Sequence, residues 1–293
     1  MLIGIDASRA VLSQRTGTEN YSLHLIRNLL PLDGENSYHL YFNQPPKPDL
    51  FPVRLNLEEV VIPFPRLWTH SRLSWEMMRR PPHVLFVPAH VLPLIHPARS
   101  VVTVHDLGYL HYPETHTNFA RAYLDLSTRY NARFSSHIIA VSQATKEDLA
   151  VRYRVPPAEI TVIYPGCSDA FQPLDEPERL AILKRRYGIA NEYLLYVGTL
   201  QPRKNLCRLI EAFSILSSRA GRQYQLVMAG KRGWLCRQIY GKVEELRLGD
   251  RIIFTGYVPD ADLPLLFSGA RLLVLPSLYE GFGMPLLEAM ACG

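Results

Sequence analysis

Short β-branched and apolar runs alternate with helix-length amphipathic segments from one end of the chain to the other, and no other feature narrows the fold so far. A hydrophobic period that switches between about 2 and 3.6 residues is the signature of βα units repeated on a parallel sheet. In the first half the pattern predicts strands at 2–6, 38–42, 60–62, 84–87, 101–104, 138–141 and 160–164. Helices are predicted at 18–30, 71–80, 118–134 and 142–153, the last with Ser142 as its N-cap. From Tyr164 to about Pro177 the alternation lapses into Pro, Gly and acidic residues, then restarts with strands at 193–197, 225–228, 251–254 and 272–275 and a helix at 205–217. Leu206, Leu209, Ile210, Phe213 and Leu216 form one apolar face of that helix, which belongs to the core.

The predicted fold class is therefore α/β, with two doubly wound parallel-sheet domains at residues 1–172 and 173–293. The 293 residues agree with that division at ~100–200 residues per domain. Only four strands fall in the second domain, where such a sheet usually has about six. That domain is expected to be incomplete, with 272–275 as an exposed apolar edge. Ligands bind outside the carboxyl ends of parallel strands, so a cleft between the domains is the expected site.

Composition removes several alternatives. Hydrophobic residues at 47% and charged residues at 20% describe a globular chain, and the net charge of +5 is spread over both halves without a basic tail, so no nucleic-acid partner is expected. Cys167, Cys207, Cys236 and Cys292 make no Cys-x-x-Cys pair and read as packing residues in a reducing cytoplasm. The N-terminus has no secretory pattern, and no apolar run approaches the ~18 residues of a membrane span, so a soluble or peripheral protein is expected. The segment from Arg66 to Arg80 mixes arginines with Trp68, Trp75, Met77 and Met78. It could dock on an anionic membrane at the inner face, or its apolar residues Trp68, Leu73 and Met77 could pack on the sheet.

The residues with the most specific chemistry lie in Pro276-Ser-Leu-Tyr-Glu-Gly-Phe-Gly-Met-Pro-Leu-Leu-Glu-Ala-Met-Ala-Cys-Gly293. The segment follows an apolar strand, turns through Gly281 and Gly283 and enters a helix near Pro285. Such a turn brings Glu280 on the loop and Glu288 in the helix to one edge, with the amides of Phe282, Gly283 and Met284 between them. Helix N-terminal amides bind phosphate or oriented hydroxyls, and a carboxylate accepts from two vicinal hydroxyls. Gly198-Thr-Leu-Gln-Pro-Arg-Lys-Asn205 follows the first strand of the second domain, and His105-Asp106 follows strand 101–104. Asp260-Ala-Asp262 has a metal-binding form, but its setting before Leu263-Pro-Leu-Leu-Phe reads as a helix cap.

Two glutamates separated by seven residues, in the frame Glu-Gly-Phe-Gly-x-Pro-x-x-Glu-Ala-Met-Ala-x-Gly, resemble the signature of the family-4 retaining glycosyltransferases with the GT-B fold, two Rossmann-like domains. The opening Gly-Ile-Asp-Ala and Thr-Val-His-Asp-Leu are similar to bacterial polysaccharide mannosyltransferases. The resemblance implies that Glu280 meets sugar hydroxyls and Glu288 the ribose of a nucleoside-diphosphate sugar, with Phe282, Gly283 and Met284 alongside. It implies that Arg203 and Lys204 stabilise the departing diphosphate without a metal, that His105 and Asp106 lie beside the transferred sugar, and that Tyr257 and Val258 lie near the nucleobase. Gly17, in Thr16-Gly-Thr-Glu-Asn-Tyr21, matches a loop where backbone approaches the diphosphate or acceptor, although a second glycine is missing. The implied reaction is transfer of a hexose, first mannose from GDP-mannose, to a glycan or lipid-linked glycan, and no cofactor is implied.

Other readings compete with it. A nicotinamide dehydrogenase would need Gly-x-Gly-x-x-Gly after an opening strand and a P-loop hydrolase would need Gly-x-x-x-x-Gly-Lys-Ser/Thr; neither occurs. A nucleotide-sugar epimerase of the same architecture and a catalytically inactive nucleotide-sugar-binding protein remain as alternatives.

Overall fold

The computed structural model describes residues 1–64, 66–89, 91–219 and 224–293. The chain separates into two units. Unit 1 holds Met1–Leu107 and Asn118–Pro165, and unit 2 holds Gly108–Thr117 and Gly166–Gly293.

Among the described residues unit 1 contains the strands β1 (Leu2–Asp6), β2 (Ser37–Phe42), β3 (Leu57–Val61), β4 (Val84–Val87), β5 (Ser100–Val104), β6 (His137–Ala140) and β7 (Ile160–Val162). All pair in parallel, in the order β3-β2-β1-β4-β5-β6-β7. The order runs outward in both directions from β1 and β4, which is the doubly wound arrangement. The helices of this stretch of chain are α1 (Gly17–Leu32), α2 (Ser74–Arg79), α3 (Gly108–His111), α4 (Asn118–Phe134) and α5 (Gln143–Tyr153), of which α3 belongs to unit 2. Leu23, Ile26 and Leu30 recur at helical spacing on α1 and pack with Ile5, Leu40 and Phe42 of the sheet. Ser142 caps α5 as its position predicts, its hydroxyl accepting from the Thr145 amide at 3.2 Å.

Several predicted boundaries of unit 1 shift, among them the end of strand 160–164, which stops at Val162. Strand β3 begins at Leu57 rather than residue 60, because Glu58 and Glu59 hide its apolar pattern; charge is protective on an edge strand. The helix expected at 71–80 is an α-helix only from Ser74 and is preceded by a π-helical turn, Thr69–Leu73. Trp68, Leu73 and Met77 are buried as the packing reading requires, while Trp75, Met78 and Leu67 remain exposed.

Unit 2 contains β8 (Tyr193–Val197), β9 (Gln225–Ala229), β10 (Ile252–Gly256) and β11 (Leu272–Leu273) among the described residues, with α6 (Pro177–Tyr187), α7 (Leu206–Arg219), α8 (Arg237–Glu245), α9 (Leu263–Ser268) and α10 (Met284–Ala291). The strands are parallel in the order β10-β9-β8-β11, with β8 and β9 innermost. Every residue of β9 is buried, as an inner strand covered on both faces requires. Alternation along the strands sends Tyr196, Leu226 and Met228 into one core layer with Leu206, Ile210 and Phe213 of α7. Tyr193, Leu195 and Val227 enter the other, with Leu265 and Leu266 of α9. Strand β11 is shorter than the predicted 272–275: the Val274 amide still donates to Leu195 at 2.8 Å, but Pro276 has no amide with which to extend the ladder. No helix among the described residues is long and apolar enough to cross a membrane.

Candidate functional site

The loops at the carboxyl ends of β8, β9 and β11 bring several charged and polar groups of unit 2 together. The loop after β8 packs directly on the loop after β9, where a Cβ on Gly230 would lie 1.9 Å from the Gly198 carbonyl oxygen. Gly198 and Gly230 both have φ of 153°, a conformation that favours glycine. Backbone bonds then fasten the two loops: Leu200 N–H donates to Lys231 and Gly233 N–H to Leu200, both at 3.0 Å. The chain continues into a 3-10 turn, Pro202–Lys204, ended by Asn205 in the left-handed region at φ 55°. That is why α7 starts at Leu206 and not at residue 205. The Asn205 amide group donates to the Pro276 carbonyl at 3.1 Å, which ties this turn to the loop after β11.

Arg203, Lys204 and Glu280 meet there, although Lys204 and Glu280 are 76 positions apart in the chain. Lys204 Nζ donates to Glu280 Oε1 at 2.5 Å, and Ser277 Oγ donates to the same oxygen at 2.5 Å. Arg203 Nη1 donates to the Tyr279 carbonyl at 2.5 Å and lies 3.8 Å from Glu280 Oε2. The Leu278 amide donates back to the Arg203 carbonyl at 3.0 Å. With Arg203 only 7% exposed, two cations and one carboxylate share a largely desolvated corner. The surplus positive charge suits an anion, because charges interact more strongly away from water. Ser277, Tyr279 and Asn205 lie inside the two segments, but the sequence pattern gives none of them a role of its own.

Beyond Glu280 the chain turns at Gly283, whose φ of 93° places it in the left-handed region as the N-cap of α10. Pro285 stands in the first turn, and Phe282, Gly283 and Met284 lie at the helix N-terminus. Glu288 is half-buried on α10, and burial, reinforced by the charge of Asp260, pushes its carboxyl up to about 7. The cap reading of Asp262 needs correction. Asp262 stands at the N-cap position of α9 but caps nothing: its carboxylate accepts from Arg186 at 2.8 Å and from the Tyr187 hydroxyl at 3.0 Å, fastening the end of α6. Among the described residues no group of three or more His, Cys, Asp or Glu is placed to hold a metal ion. In the loop after β10, Tyr257 is half-buried, whereas the Val258 side chain is in the core, so Val258 has only backbone to offer a ligand.

The sequence candidates of unit 1 gather at the carboxyl ends of β1, β4 and β5. His105 Nε2 donates to the Pro88 carbonyl, which follows β4, at 2.8 Å. That bond leaves Nδ1 as the acceptor of a neutral imidazole. Burial pulls the His105 pKa down against the opposing influence of Pro88, Asp106 and Glu19. Tyr21 of α1 meets the His105 ring edge-on at 4.8 Å. Gly17 is the first residue of α1, after a capping box in which Glu19 accepts from the Thr16 amide at 2.9 Å, and a Cβ there would meet open space. Its glycine therefore has no internal packing cause.

Comparison with known proteins adds the family. Residues 15–171 match the family described as Glycosyltransferase Family 4, and residues 183–293 match Glycosyl transferases group 1. The chain belongs to glycosyltransferase family 4. An O-antigen chain mannosyltransferase B of Escherichia coli is 32% identical over 82% of this chain and 62% of its own length. An O-antigen chain mannosyltransferase of Salmonella typhimurium is 29% identical over 69% of the chain and 52% of its own length. This family-4 chain thus spans less than two thirds of the length of each of these two relatives. Among solved structures, the sucrose-phosphate synthase of Thermosynechococcus elongatus superposes with a TM-score of 0.71 at 20% identity, over 100% of this chain and 79% of that one. WaaG, described as a glycosyltransferase involved in lipopolysaccharide biosynthesis, gives 0.72 at 17% identity over the same shares. At these identities the likeness establishes the GT-B fold.

The raised Glu288 pKa has a definite sign. Above about pH 7 the folded carboxylate is ionised and carries its burial cost; as pH falls toward the ordinary value of 4.5, protonation of the folded form relieves it. Glu288→Gln is expected to be more thermally stable than the wild type at about pH 8, with the difference shrinking toward about pH 5. Melting curves of the ligand-free protein measure this, and a difference that does not vary with pH would contradict it.

Proposed function

We propose that this family-4 chain carries the sugar-donor machinery of a retaining hexosyltransferase acting on a nucleoside-diphosphate sugar, with a glycan or lipid-linked glycan as acceptor. The observation that carries the reading is the meeting of Arg203, Lys204 and Glu280 in one desolvated corner. A diphosphate supplies the negative charge that the two cations lack, and Arg203 and Lys204 stabilise it as it departs. Glu280, released from Lys204, accepts from the sugar hydroxyls. Glu288, ionised, accepts from the two ribose hydroxyls, and the amides of Phe282, Gly283 and Met284 face the same ligand. In unit 1 we assign the neutral His105 and its neighbour Asp106 to the transferred sugar, Gly17 to the diphosphate or acceptor, and Tyr257 and Val258 of unit 2 to the nucleobase.

In the transfer, the bond between the acceptor oxygen and the anomeric carbon forms on the face from which the carbon–phosphate oxygen bond breaks. The hydroxyl proton passes to the diphosphate that leaves. Mannose from GDP-mannose is the first sugar to test, because two relatives that match more than two thirds of the chain are named as mannosyltransferases. The same names support a role in surface polysaccharide synthesis.

The exposed face of unit 1 supports a peripheral contact with an anionic bilayer. Leu67, Trp75 and Met78 are exposed beside the exposed Arg66, Arg72, Arg79 and Arg80. His70 bonds the Tyr123 hydroxyl at 3.1 Å, so this face continues into α4 with the exposed Phe119 and Leu126. Apolar side chains among arginines are complementary to a negatively charged headgroup layer.

Two measurements test these readings. Release of nucleoside diphosphate from GDP-mannose, followed with and without a mannan acceptor, is expected to fall about 10²–10³-fold in Arg203→Ala and Glu280→Gln, each assayed below its own melting temperature. Rates equal to the wild type would remove the assignment, and saturable binding with no release would leave a nucleotide-sugar-binding protein. On sedimentation with vesicles, the protein is expected to follow those containing phosphatidylglycerol and not pure phosphatidylcholine, and Trp75→Ala/Met78→Ala is expected to stay in solution. Equal recovery on both vesicles would contradict the membrane contact.

A further inference from the structure

The segment Gly108–Thr117 lies between β5 and α4 in the chain yet belongs to unit 2. It touches unit 2 at two ends. At one end the His111 ring, although exposed, stacks on the Tyr279 ring with centroids 4.7 Å apart and planes 16° from parallel. At the other, Trp234 Nε1 donates to the Thr115 carbonyl at 2.6 Å, and the Trp234 and His116 rings lie 5.4 Å apart. The short stretch between is stiff: α3 ends at His111, a 3-10 turn covers Pro113–Thr115, and the buried Thr115 hydroxyl donates to the Tyr112 carbonyl at 2.7 Å.

Both anchor points sit on loops that are bonded to the loop carrying the cation pair. Tyr279 immediately precedes Glu280, and its carbonyl takes Arg203 Nη1. Trp234 is in the loop after β9, which is bonded to the loop after β8 through Gly233 and Leu200. A rigid segment fixed to the loop after β9 and to the loop after β11 thus brackets the turn of Arg203 and Lys204. We propose that Gly108–Thr117 is a strap that sets the sugar-donor loops of unit 2, and that His111 is a positioning residue which orders Glu280 and Arg203 through its stack on Tyr279. The consequence for nucleotide-sugars rests on the donor-site reading above; the ordering of the loop does not.

The physics gives the size of the effect. A stacked aromatic pair holds its partners by an amount equivalent to roughly a three- to ten-fold change in an equilibrium constant. Removing the ring should loosen the Leu278–Glu280 loop by about that factor without unfolding the domain, since His111 is exposed. His111→Phe keeps a planar ring and should restore order.

The test is amide hydrogen exchange on the full ligand-free chain, read at Leu278, whose amide bonds the Arg203 carbonyl. In His111→Ala, exchange there should rise about three- to ten-fold at a wild-type melting temperature, and in His111→Phe it should return to within about two-fold of wild type. Calorimetric titration with GDP should then show weaker binding in His111→Ala and not in His111→Phe. Wild-type exchange at Leu278 in His111→Ala would overturn the proposal, as would a Phe variant as loose as the Ala variant. If exchange responds as expected while wild-type protein binds neither GDP nor UDP, the strap stands and the nucleotide-sugar reading falls.

Discussion

The candidate site of unit 2 rests on two cations and one carboxylate brought to a single corner from distant parts of the chain. Arg203 and Lys204 come from a 3-10 turn after β8, and Glu280 comes from the loop after β11. Desolvated charges are costly unless they are paired and hydrogen-bonded, and here each finds partners. Ser277 adds a hydroxyl to the carboxylate, and the Tyr279 carbonyl takes the guanidinium. The same logic explains how such a corner can serve a ligand. In the proposed reaction a diphosphate takes the place of the carboxylate as partner to the cations, and the displaced Glu280 is then next to whatever the diphosphate carries.

That corner exists because the sheet below it is rigid and the loops above it are unusually close. Both core layers of unit 2 are anchored on β8 and β9, whose alternate residues feed opposite faces. Two glycines allow the backbones of the following loops to touch, so the turn bearing the basic pair is braced by main-chain bonds and not by side chains alone. Backbone bracing suits a site that must hold charge in place, because it restricts the loop with few rotamers to order. The strap Gly108–Thr117 adds aromatic contacts on both sides of this assembly.

Much of the architecture was legible in the sequence because parallel sheets write themselves as apolar runs. The parallel direction of the strands in both sheets follows from βα alternation, and the turn at Gly283 follows from its glycine and the succeeding proline. Where reading failed, the cause was local. Glu58 and Glu59 masked half of an edge strand, and Asp262 looked like a helix cap although its carboxylate is taken by Arg186 and Tyr187. Arg203, Lys204 and Glu280 could be named from their motifs. Their partners Ser277, Tyr279 and Asn205 could not, because nothing in a linear pattern records which backbone carbonyl a guanidinium or an amide will find. The stack of His111 on Tyr279 joins residues with no shared motif, and only the folded chain reveals it.

The central claim is that Glu280 and the diphosphate compete for the same two cations, and calorimetric titration of GDP and GDP-mannose into wild type, Glu280→Gln and Lys204→Ala tests it most directly. If the claim holds, Glu280→Gln binds GDP at least as tightly as wild type because its cations are released, yet loses affinity for GDP-mannose, while Lys204→Ala loses affinity for both. A loss of GDP affinity in Glu280→Gln as large as that in Lys204→Ala would contradict it.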